Sequence, residues 1–347
     1  MVAERVWHGA HGWRNEAGSL STDRPQVVVT RRLPDQIEQR MSALFDTRLN
    51  SSDTPMHRTA LLAALQSADV LVSAITDRID AELITALPES VRLIAQFGAG
   101  FDNINIEAAQ ARGIMVTNTP SVMAEDTADM AMALMLSLPR RLVEGAAVID
   151  QRNDWGGFAP TAMLGTRLSG KTLGIVGMGR IGMAVARRAK AFGLAIHYWG
   201  RSRRPEQIES ALEATHWPDL SAMLEATDIV SLHVPATRET MNLISADRLA
   251  RMKQGAYLIN VSRPELIDED AFAAALEAGR IGGAALDVVS NEGGVNPRLL
   301  ALAQAKRVIR TPHMAWATLE SRLEMGETVI VNIRTFLDGH PPPHRVL

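Results

Sequence analysis

Short apolar runs alternate with stretches of helical periodicity along most of the chain. The runs in its first third are rich in Val, Ile and Leu, which is typical of buried strands. They lie at residues 27–30, 70–73, 91–97 and 114–117, and helical patterns fill the intervals at residues 37–44, 56–65, 79–87 and 106–112. Strands separated by helices pair in parallel, so this stretch predicts a small parallel α/β unit that begins at Pro25.

The same alternation continues from about residue 168 to residue 310. Strand-like runs apolar enough for the centre of a parallel sheet lie at residues 172–176, 194–199, 229–234, 256–261, 284–289 and 308–311. Helical patterns separate them, and one of these, at residues 268–278, ends at Gly279 as a helix stop. The pattern predicts a second, doubly wound parallel sheet.

A glycine-rich turn joins the first strand of this second unit to the helix that follows. Gly177, Gly179 and Gly182 have the G-x-G-x-x-G spacing, with Arg180 and Ile181 between the last two. One glycine permits the tight turn, one lets the backbone approach a pyrophosphate, and one lets helix and strand pack closely. The phosphates then bind the free N–H groups at the positive end of the helix. Because the motif lies in its full strand–turn–helix–strand context, it predicts dinucleotide binding rather than an ordinary tight turn.

A long helix is predicted between the two units. Ser121 is the expected N-cap, and Glu125 and Asp126 suit the positive end of the helix dipole. The prediction extends this helix to Val148, as the longest of the protein, and residues 130–138 are apolar on nearly every side. A helix without a polar face must be buried all round, so we expect it to cross between domains and to contact a second subunit.

The domain prediction follows from a last helical pattern at residues 316–337, which we expect to return to the first unit. The predicted substrate domain comprises residues 25–120 and 313–347, and the predicted dinucleotide-binding domain comprises residues 121–312, with a cleft between the two. The predicted fold class is α/β, with two doubly wound parallel-sheet domains. A Rossmann-type cofactor domain is inserted in a smaller flavodoxin-like substrate domain.

Composition excludes several classes of function. The 347 residues are 46% hydrophobic and 22% charged, which fits a soluble globular protein, and a net charge of −3 favours neither nucleic acid nor a membrane surface as a partner. There is no cysteine, which excludes disulfides, thiolate nucleophiles and Cys-ligated metal and fits the cytoplasmic location that we expect. No metal site is predicted. No apolar run approaches the roughly 20 residues that span a bilayer. Residues 1–24 lack the apolar core of a signal peptide, and we expect a disordered leader.

Three polar side chains follow predicted strand ends in the second unit, where ligands bind in open α/β sheets. Arg263 follows the strand at 256–261, Glu292 lies five residues after Asp287, and His313 follows the last strand. Taken singly, each has an ordinary structural interpretation: a surface ion pair, a solvated loop acid and a core histidine. Together they place a cation, an acid and a histidine at one sheet edge, which favours a catalytic site.

The residues after the second strand of this unit bear on cofactor choice. Position 200 is glycine, where NAD-selective versions of the fold carry an acid that bonds the ribose 2′-OH. Arg201 can bind a 2′-phosphate with charge-assisted hydrogen bonds, Ser202 can donate another, and Arg203 or Arg204 is secondary. The alternative is a solvated basic loop without strong preference. We expect NADP(H) to be preferred, with NAD(H) possible.

Long stretches of the chain resemble the D-isomer-specific 2-hydroxyacid dehydrogenase family, in particular its glyoxylate/hydroxypyruvate reductase branch. The matching segments of the second unit read GIVGMGRIG, SLHVPATRETMNLI, LINVSRPELIDEDAFAAAL, GAALDVVSNE and TPHMAWAT; those of the first read QFGAGFDNINIEAA and NTPSVMAEDTADMAMALML. Three positions depart from the family pattern. Pro264 stands where Gly is usual, Gly293 where Pro is usual, and Trp316 where a small residue is usual. The first two affect loop shape, and the third affects the room beside the nicotinamide.

The resemblance implies a homodimer that reduces a small 2-keto acid, such as glyoxylate or hydroxypyruvate, with NADPH. His313 would protonate the forming alkoxide, Glu292 would pair with it, and Arg263 would bind the substrate. The backbone of Ala99 and Gly100 would hold the substrate carboxylate, with Trp316 nearby. The cofactor residues that the resemblance and the motifs imply are Thr127, Gly177, Gly179, Arg180, Ile181, Gly182, Arg201, Ser202, Arg203, His233, Val234, Pro235, Thr240, Val261, Ser262, Arg263, Asp287, His313 and Ala315.

Other activities of the same fold remain as alternatives. Formate dehydrogenases have Gln at the position of Glu292, and phosphoglycerate dehydrogenases often carry an added regulatory domain, although short versions exist. Another D-2-hydroxyacid dehydrogenase activity stays open. A dinucleotide-sensing, corepressor-like protein without enzymatic activity is the alternative from a different class, and the presence of Arg263, Glu292 and His313 argues against it.

Overall fold

The computed structural model describes residues 24–120, 122–151, 157–289 and 296–346, with only the backbone at 150 and 151. It also describes the backbone of two short strands, β1 (Val6–Trp7) and β2 (Trp13–Arg14), which form an antiparallel pair. The rest of the predicted leader, up to residue 23, lies outside the described residues. The chain divides into two units, Met1–Met123 with Ala317–Leu347, and Ala124–Trp316. The predicted domain boundaries fall three and four residues earlier along the chain.

The first unit is a parallel sheet flanked by helices. Its elements are β3 (Gln26–Val29), α1 (Asp35–Leu44), β4 (Asp46–Arg48), α2 (Arg58–Ala64), β5 (Val70–Ala74), α3 (Ala81–Ala86), β6 (Leu93–Phe97), α4 (Ile106–Ala111), β7 (Met115–Thr117) and α13 (Leu319–Leu337). The sheet order is β4-β3-β5-β6-β7, with every pair parallel, which is the flavodoxin-like order. Central strands are fully buried, as their continuous apolar runs predict.

The carboxyl-terminal helix α13 completes this first unit. It packs on β6 and on α1, and buries Met325, Val329, Ile330 and Ile333. Gly326 permits the close approach to α1, because a Cβ at that position would come within 2.5 Å of the Ile37 side chain. The segment that returns at the end of the chain is therefore part of the core of the first unit.

The second unit is a larger parallel sheet. Its elements are α5 (Ala124–Ser137), α6 (Leu142–Gln151), β8 (Thr172–Val176), α7 (Arg180–Ala191), β9 (Ala195–Trp199), α8 (Glu206–Leu212), β10 (Ala214–His216), α9 (Leu220–Ala226), β11 (Ile229–Leu232), α10 (Ala246–Arg251), β12 (Ala256–Asn260), α11 (Glu269–Glu277), β13 (Ile281–Leu286), α12 (Pro297–Gln304) and β14 (Val308–Arg310). The order is β10-β9-β8-β11-β12-β13-β14. This is the Rossmann order with one strand added, so the predicted fold class of two doubly wound sheets is confirmed.

The predicted long helix at residues 121–148 is wrong in extent. The structure has two helices there, because Pro139 cannot continue α5 and Arg141 adopts a left-handed conformation with φ 55° before α6. With 19 residues, α13 is the longest described helix. Ser121, the expected N-cap, lies outside the described residues. Within the described part of the chain, no helix is long and apolar enough to cross a membrane.

Other strand boundaries differ where polar residues or glycines obscure the pattern. The sequence pattern missed β4 and β10, which are three-residue edge strands with partly exposed polar side chains. The strand β13 begins three residues before the predicted 284, and includes Gly282 and Gly283. A Cβ at Gly282 would lie 2.4 Å from the carbonyl oxygen of Gly255, so glycine is required there by the neighbouring backbone.

Candidate cofactor and substrate site

The carboxyl ends of six strands of the second unit lie in one row. Successive register pairs run through Trp199, Val176, Leu232, Asn260, Leu286 and Arg310, which end β9, β8, β11, β12, β13 and β14. Almost every predicted site residue of this unit lies within a few positions after one of these strand ends. The chain order reverses between β8 and β11, and dinucleotides bind outside the strand ends at such a switch point.

The glycine turn after β8 has the shape that a pyrophosphate requires. Gly177 has φ +99°, and a Cβ there would lie 2.8 Å from the His233 carbonyl oxygen. A Cβ on Gly182 would lie 2.2 Å from the Gly177 carbonyl oxygen, so this glycine lets α7 start against the turn. Gly179 differs, because a Cβ there would meet no described atom within 4 Å. It precedes α7 as an N-cap without a side-chain hydrogen bond, which suits a phosphate at the helix start.

The loop after β9 carries the basic residues. Arg201 and Ser202 are exposed, and the positive charge of Arg201 contributes to lowering the pKa of Glu239, for which a Thr237 hydrogen bond is the largest cause. Arg203 instead makes a bidentate ion pair with Glu209 of α8, with distances of 2.7–3.1 Å. The sequence pattern did not identify Glu209, because an acid on the next helix gives no signal of its partner.

The turn after β11 holds a neutral histidine. The Nε2 atom of His233 lies 2.8 Å from the Ser231 hydroxyl, and burial lowers the pKa of His233 to about 3. Ser262 donates a hydrogen bond to the Val234 carbonyl at 2.5 Å, and Thr240 donates one to the Pro235 carbonyl at 2.7 Å. The Ser262 bond ties the loops after β11 and β12 together, and the Thr240 bond lies within the loop after β11. Since His233 stays uncharged near neutral pH, it contributes no titration to a rate profile there.

Arg263 follows Val261 and Ser262 in a turn organised by the buried side chain of Asn260. The Asn260 amide donates to the Arg263 carbonyl at 2.8 Å, and its oxygen accepts from the Ser262 N–H at 3.0 Å. The Arg263 guanidinium donates to the Ser262 carbonyl at 2.9 Å. Pro264, the first departure from the family pattern, starts a single 3-10 turn at Pro264–Leu266, where its fixed φ and missing N–H fit the first position.

Asp287 organises the segment that carries His313. Its buried carboxylate accepts hydrogen bonds from the Thr311 hydroxyl at 2.5 Å, the Met314 N–H at 2.9 Å and the Ala315 N–H at 2.8 Å. The Asp287 carbonyl accepts the His313 N–H at 2.9 Å. From the sequence, Asp287 is given only as one of the implied cofactor residues. The structure adds that this side chain fixes the backbone on both sides of the candidate acid.

His313 itself has φ 54°, a left-handed conformation that histidine tolerates better than most residues. Its ring meets the Trp316 ring edge to face at a centroid distance of 6.1 Å. Trp316, the third departure, is buried and shares this aromatic contact. Glu292 and Gly293 lie outside the described residues, so the predicted Glu292–His313 pair is not part of the described geometry.

The predicted anion-binding turn of the first unit is Gly98-Ala99-Gly100. A Cβ on Gly98 would lie 2.6 Å from the Ile75 side chain, so packing alone requires glycine there. The Asn118 amide holds the Ala99 carbonyl at 2.7 Å, and the Gln96 amide holds the Gly100 carbonyl at 3.2 Å. Neither the Ala99 nor the Gly100 N–H donates a hydrogen bond within the described part of the chain. Unpaired backbone donors in a rigid turn are suited to an anion.

Two further features delimit the site. A cavity of about 170 Å³ opens at the amino-terminal edge of the second sheet and is lined by Lys171, Asp228, Lys253 and Tyr257. It lies at the opposite sheet edge from the predicted cofactor residues. Among the side chains that the structure describes, no group of His, Cys, Asp and Glu could hold a metal ion. Thr127, also nominated from the sequence, is buried in α5.

Comparison with known proteins agrees with this geometry. Residues 132–315 match the family model of the D-isomer specific 2-hydroxyacid dehydrogenase, NAD binding domain. The chain belongs to the D-isomer specific 2-hydroxyacid dehydrogenase family. It is an enzyme of the NAD(P)-dependent D-2-hydroxyacid dehydrogenase class, in the glyoxylate reductase branch, and its cofactor is a nicotinamide dinucleotide.

Relatives and solved structures of this family match nearly the whole chain. A glyoxylate reductase of Thermococcus litoralis is 41% identical over 93% of this chain and 97% of its own length, and one of Korarchaeum cryptofilum is 42% identical over 93% and 96%. The structure of an NADPH-dependent glyoxylate/hydroxypyruvate reductase from Sinorhizobium meliloti, in complex with NADP and malonate, superposes with a TM-score of 0.81. It is 32% identical and covers 93% of this chain and 97% of its own.

Proposed function

We propose that the protein reduces glyoxylate or hydroxypyruvate to the corresponding 2-hydroxy acid with NADPH. The observation that carries the proposal is the similarity, over 93% of the chain, to relatives named glyoxylate reductases. The first catalytic requirement is an anchor for the substrate, and we assign it to Arg263, whose planar guanidinium suits carboxylate and keto oxygens. The backbone N–H groups of Ala99 and Gly100 are assigned to the substrate carboxylate.

The second requirement is a proton donor. A bound nicotinamide would supply a hydride to the keto carbon, and we assign to His313 the donation of a proton to the keto oxygen. Imidazole has an unperturbed pKa near 6.5, so it can hold this proton at working pH. Glu292 is assigned as the partner that favours the charged ring. Asp287 fixes the backbone of residues 311–315 through its hydrogen bonds, and this holds the His313 imidazole in position.

The preference for NADPH follows from the loop after β9. Position 200 is glycine, so no acid follows β9 to bind a ribose 2′-OH or to repel a 2′-phosphate. Arg201 and Ser202 are both exposed, and they supply a cation and a hydroxyl for the phosphate. We therefore assign Arg201 as the main determinant of cofactor selectivity.

We also propose a homodimer formed through the α5–α6 region. Leu142, Val143 and Ile149 of α6 are 61%, 43% and 53% exposed, and Phe158 and Leu164 in the loop after it are 87% and 66% exposed. A second copy of the chain would cover these apolar side chains, and clustered exposed apolar residues are typical of interaction sites.

Steady-state kinetics test the proposed function. Initial rates are measured with glyoxylate and hydroxypyruvate against NADPH and NADH, for the wild type and for His313→Asn. Asn removes the imidazole but tolerates the left-handed backbone, so a loss reports on chemistry. We expect kcat to fall about 10²–10⁴-fold with nucleotide affinity nearly unchanged. His340→Asn, at an exposed histidine, is the control. Wild-type nucleotide binding without turnover would instead support a sensing protein, and full activity in His313→Asn would remove the mechanism.

A further inference from the structure

One buried network lies directly beneath the basic loop after β9. Glu209 of α8 is 7% exposed, and its carboxylate accepts a hydrogen bond from the Tyr198 hydroxyl at 2.5 Å and three from the Nε and Nη2 atoms of Arg203 at 2.7–3.1 Å. The Tyr198 hydroxyl in turn accepts the Arg204 backbone N–H at 2.7 Å. Tyr198 is fully buried in β9, so the network is anchored in the sheet.

This network constrains the loop at two consecutive positions. The Arg203 side chain is held by Glu209, and the Arg204 backbone is held by Tyr198. Arg201 and Ser202, immediately before these positions, are exposed, and neither takes part in the hydrogen bonds that the described residues form with Glu209 or Tyr198. From the sequence, Arg201 and Arg203 are both predicted to contact the 2′-phosphate. The structure separates them, because the Arg203 charge is already paired with a buried carboxylate, whereas Arg201 is an exposed residue whose charge acts on Glu239 from a distance.

We propose that Glu209 is a positioning residue for cofactor selectivity: with Tyr198 it holds Arg203 and Arg204 so that Arg201 and Ser202 are presented to a 2′-phosphate. In this arrangement Arg203 braces the loop and is not itself a phosphate ligand. The proposal rests on the proposed NADPH preference and extends it to residues that touch no cofactor atom.

The physical reason is that a charge-assisted bidentate pair fixes loop geometry more firmly than one neutral hydrogen bond. Replacing Glu209 by Gln keeps the size of the side chain but puts an amide N–H₂ beside the Arg203 guanidinium. Two donors cannot bond each other, so at least one arm of the pair is lost. The loop then samples other conformations, and the free energy of ordering it lowers the affinity for ligands that bind through Arg201 and Ser202.

The test is direct binding of two probes that differ only in the 2′-phosphate, adenosine 2′,5′-bisphosphate and adenosine 5′-monophosphate, by calorimetry. We expect Glu209→Gln to reduce the affinity ratio of the two probes at least about fivefold, with the affinity for the monophosphate within about twofold of wild type. Arg203→Ala, at an exposed side chain, should give a similar reduction, and the double variant should be no worse than the poorer single variant. Glu277→Gln breaks a comparable exposed pair with Arg298 on α11 and α12 and should leave the ratio unchanged.

Each other result overturns the proposal in a distinguishable way. A wild type that does not favour the bisphosphate removes the NADPH preference, and the inference with it. A wild type that favours it, with an unchanged ratio in Glu209→Gln, removes the inference alone. If Arg203→Ala reduces the ratio far more than Glu209→Gln does, or if the two effects add, Arg203 contacts the phosphate directly. Should Glu209→Gln fail to fold, Arg203→Ala alone decides, and an unchanged ratio in that variant overturns the proposal.

Discussion

Substitutions at two glycines of the turn after β8 can separate an effect on stability from an effect on nucleotide binding. At Gly182 an added Cβ would lie 2.2 Å from the Gly177 carbonyl oxygen and 3.2 Å from the Ile175 side chain. Real Cβ atoms do not approach within 3.0 Å of other heavy atoms, so the start of α7 or the turn must move by about 1 Å. At Gly179 the added Cβ meets no described atom within 4 Å, and φ is −78°.

The two substitutions should therefore differ in kind. Overpacking typically costs about 1–3 kcal/mol, and for a unit of this size 1 kcal/mol lowers the Tm by roughly 2–4 °C. Gly182→Ala should thus lower the Tm by roughly 2–12 °C and also weaken nucleotide binding. Gly179→Ala should change the Tm by less than about 2 °C, since strain-free surface changes cost little. It should nevertheless weaken nucleotide binding at least tenfold, because the methyl group occupies the space of the pyrophosphate.

Thermal unfolding without nucleotide and calorimetric titration with NADPH measure the two effects separately, and each variant serves as the control for the other. Wild-type affinity in Gly179→Ala would mean that the phosphates do not lie over this turn. Wild-type stability in Gly182→Ala would show that the turn relaxes at no cost, against the packing argument.

Three further predictions concern charge, assembly and cofactor choice. Arg203, and then Tyr198, lower the pKa of Glu209 from 4.5 to about 2, so its contribution to stability is complete above pH 4.5 and is lost as the pH falls toward 2. The Tm difference between wild type and Glu209→Gln should accordingly shrink between pH 6 and pH 3, and a constant difference would contradict this assignment. Sedimentation should show a dimer at micromolar concentration that Leu142→Lys dissociates and Val331→Lys, at another exposed apolar side chain, does not; a monomeric wild type would refute the dimer. Arg201→Ala should raise the KM for NADPH at least tenfold, about 1.4 kcal/mol, with little effect on that for NADH, and a wild type that prefers NADH would refute our interpretation of the loop.

The sequence predicted the fold well where burial dominates. The central strands are continuous apolar runs, and a buried run can pair only within a sheet covered on both faces. The predicted helix stop Gly279 adopts positive φ, and so do Gly113 and Gly193 after α4 and α7. The two edge strands β4 and β10 gave no such signal. They are three residues long and partly exposed, and each pairs with a neighbouring strand on one side only.

Two errors had a signal that could have been used. Pro139 lies inside the predicted long helix, and a proline in a helical pattern usually ends it near the preceding residue. The paired glycines at 282 and 283 mark a strand where another backbone approaches closely. The roles of Asp287 and Arg203 had no such signal. The partners of Asp287 lie 24–28 residues away along the chain, and the register of β13 with β14 brings them together. The partner of Arg203 is only 6 residues away, but the pairing depends on how the loop after β9 folds back on α8.

The return of α13 to the first unit has a consequence for synthesis. The core of that unit needs Met325, Val329 and Ile330, yet the ribosome makes about 190 residues of the second unit before they appear. At roughly 5–20 residues per second this interval lasts on the order of 10–40 s. During this interval the second unit can complete its own sheet, while the apolar surface of β6 that α13 will cover stays exposed. We therefore expect the second unit to fold before the first during synthesis. Until α13 is made, the first unit exposes apolar surface on its sheet, and chaperones are expected to bind it there.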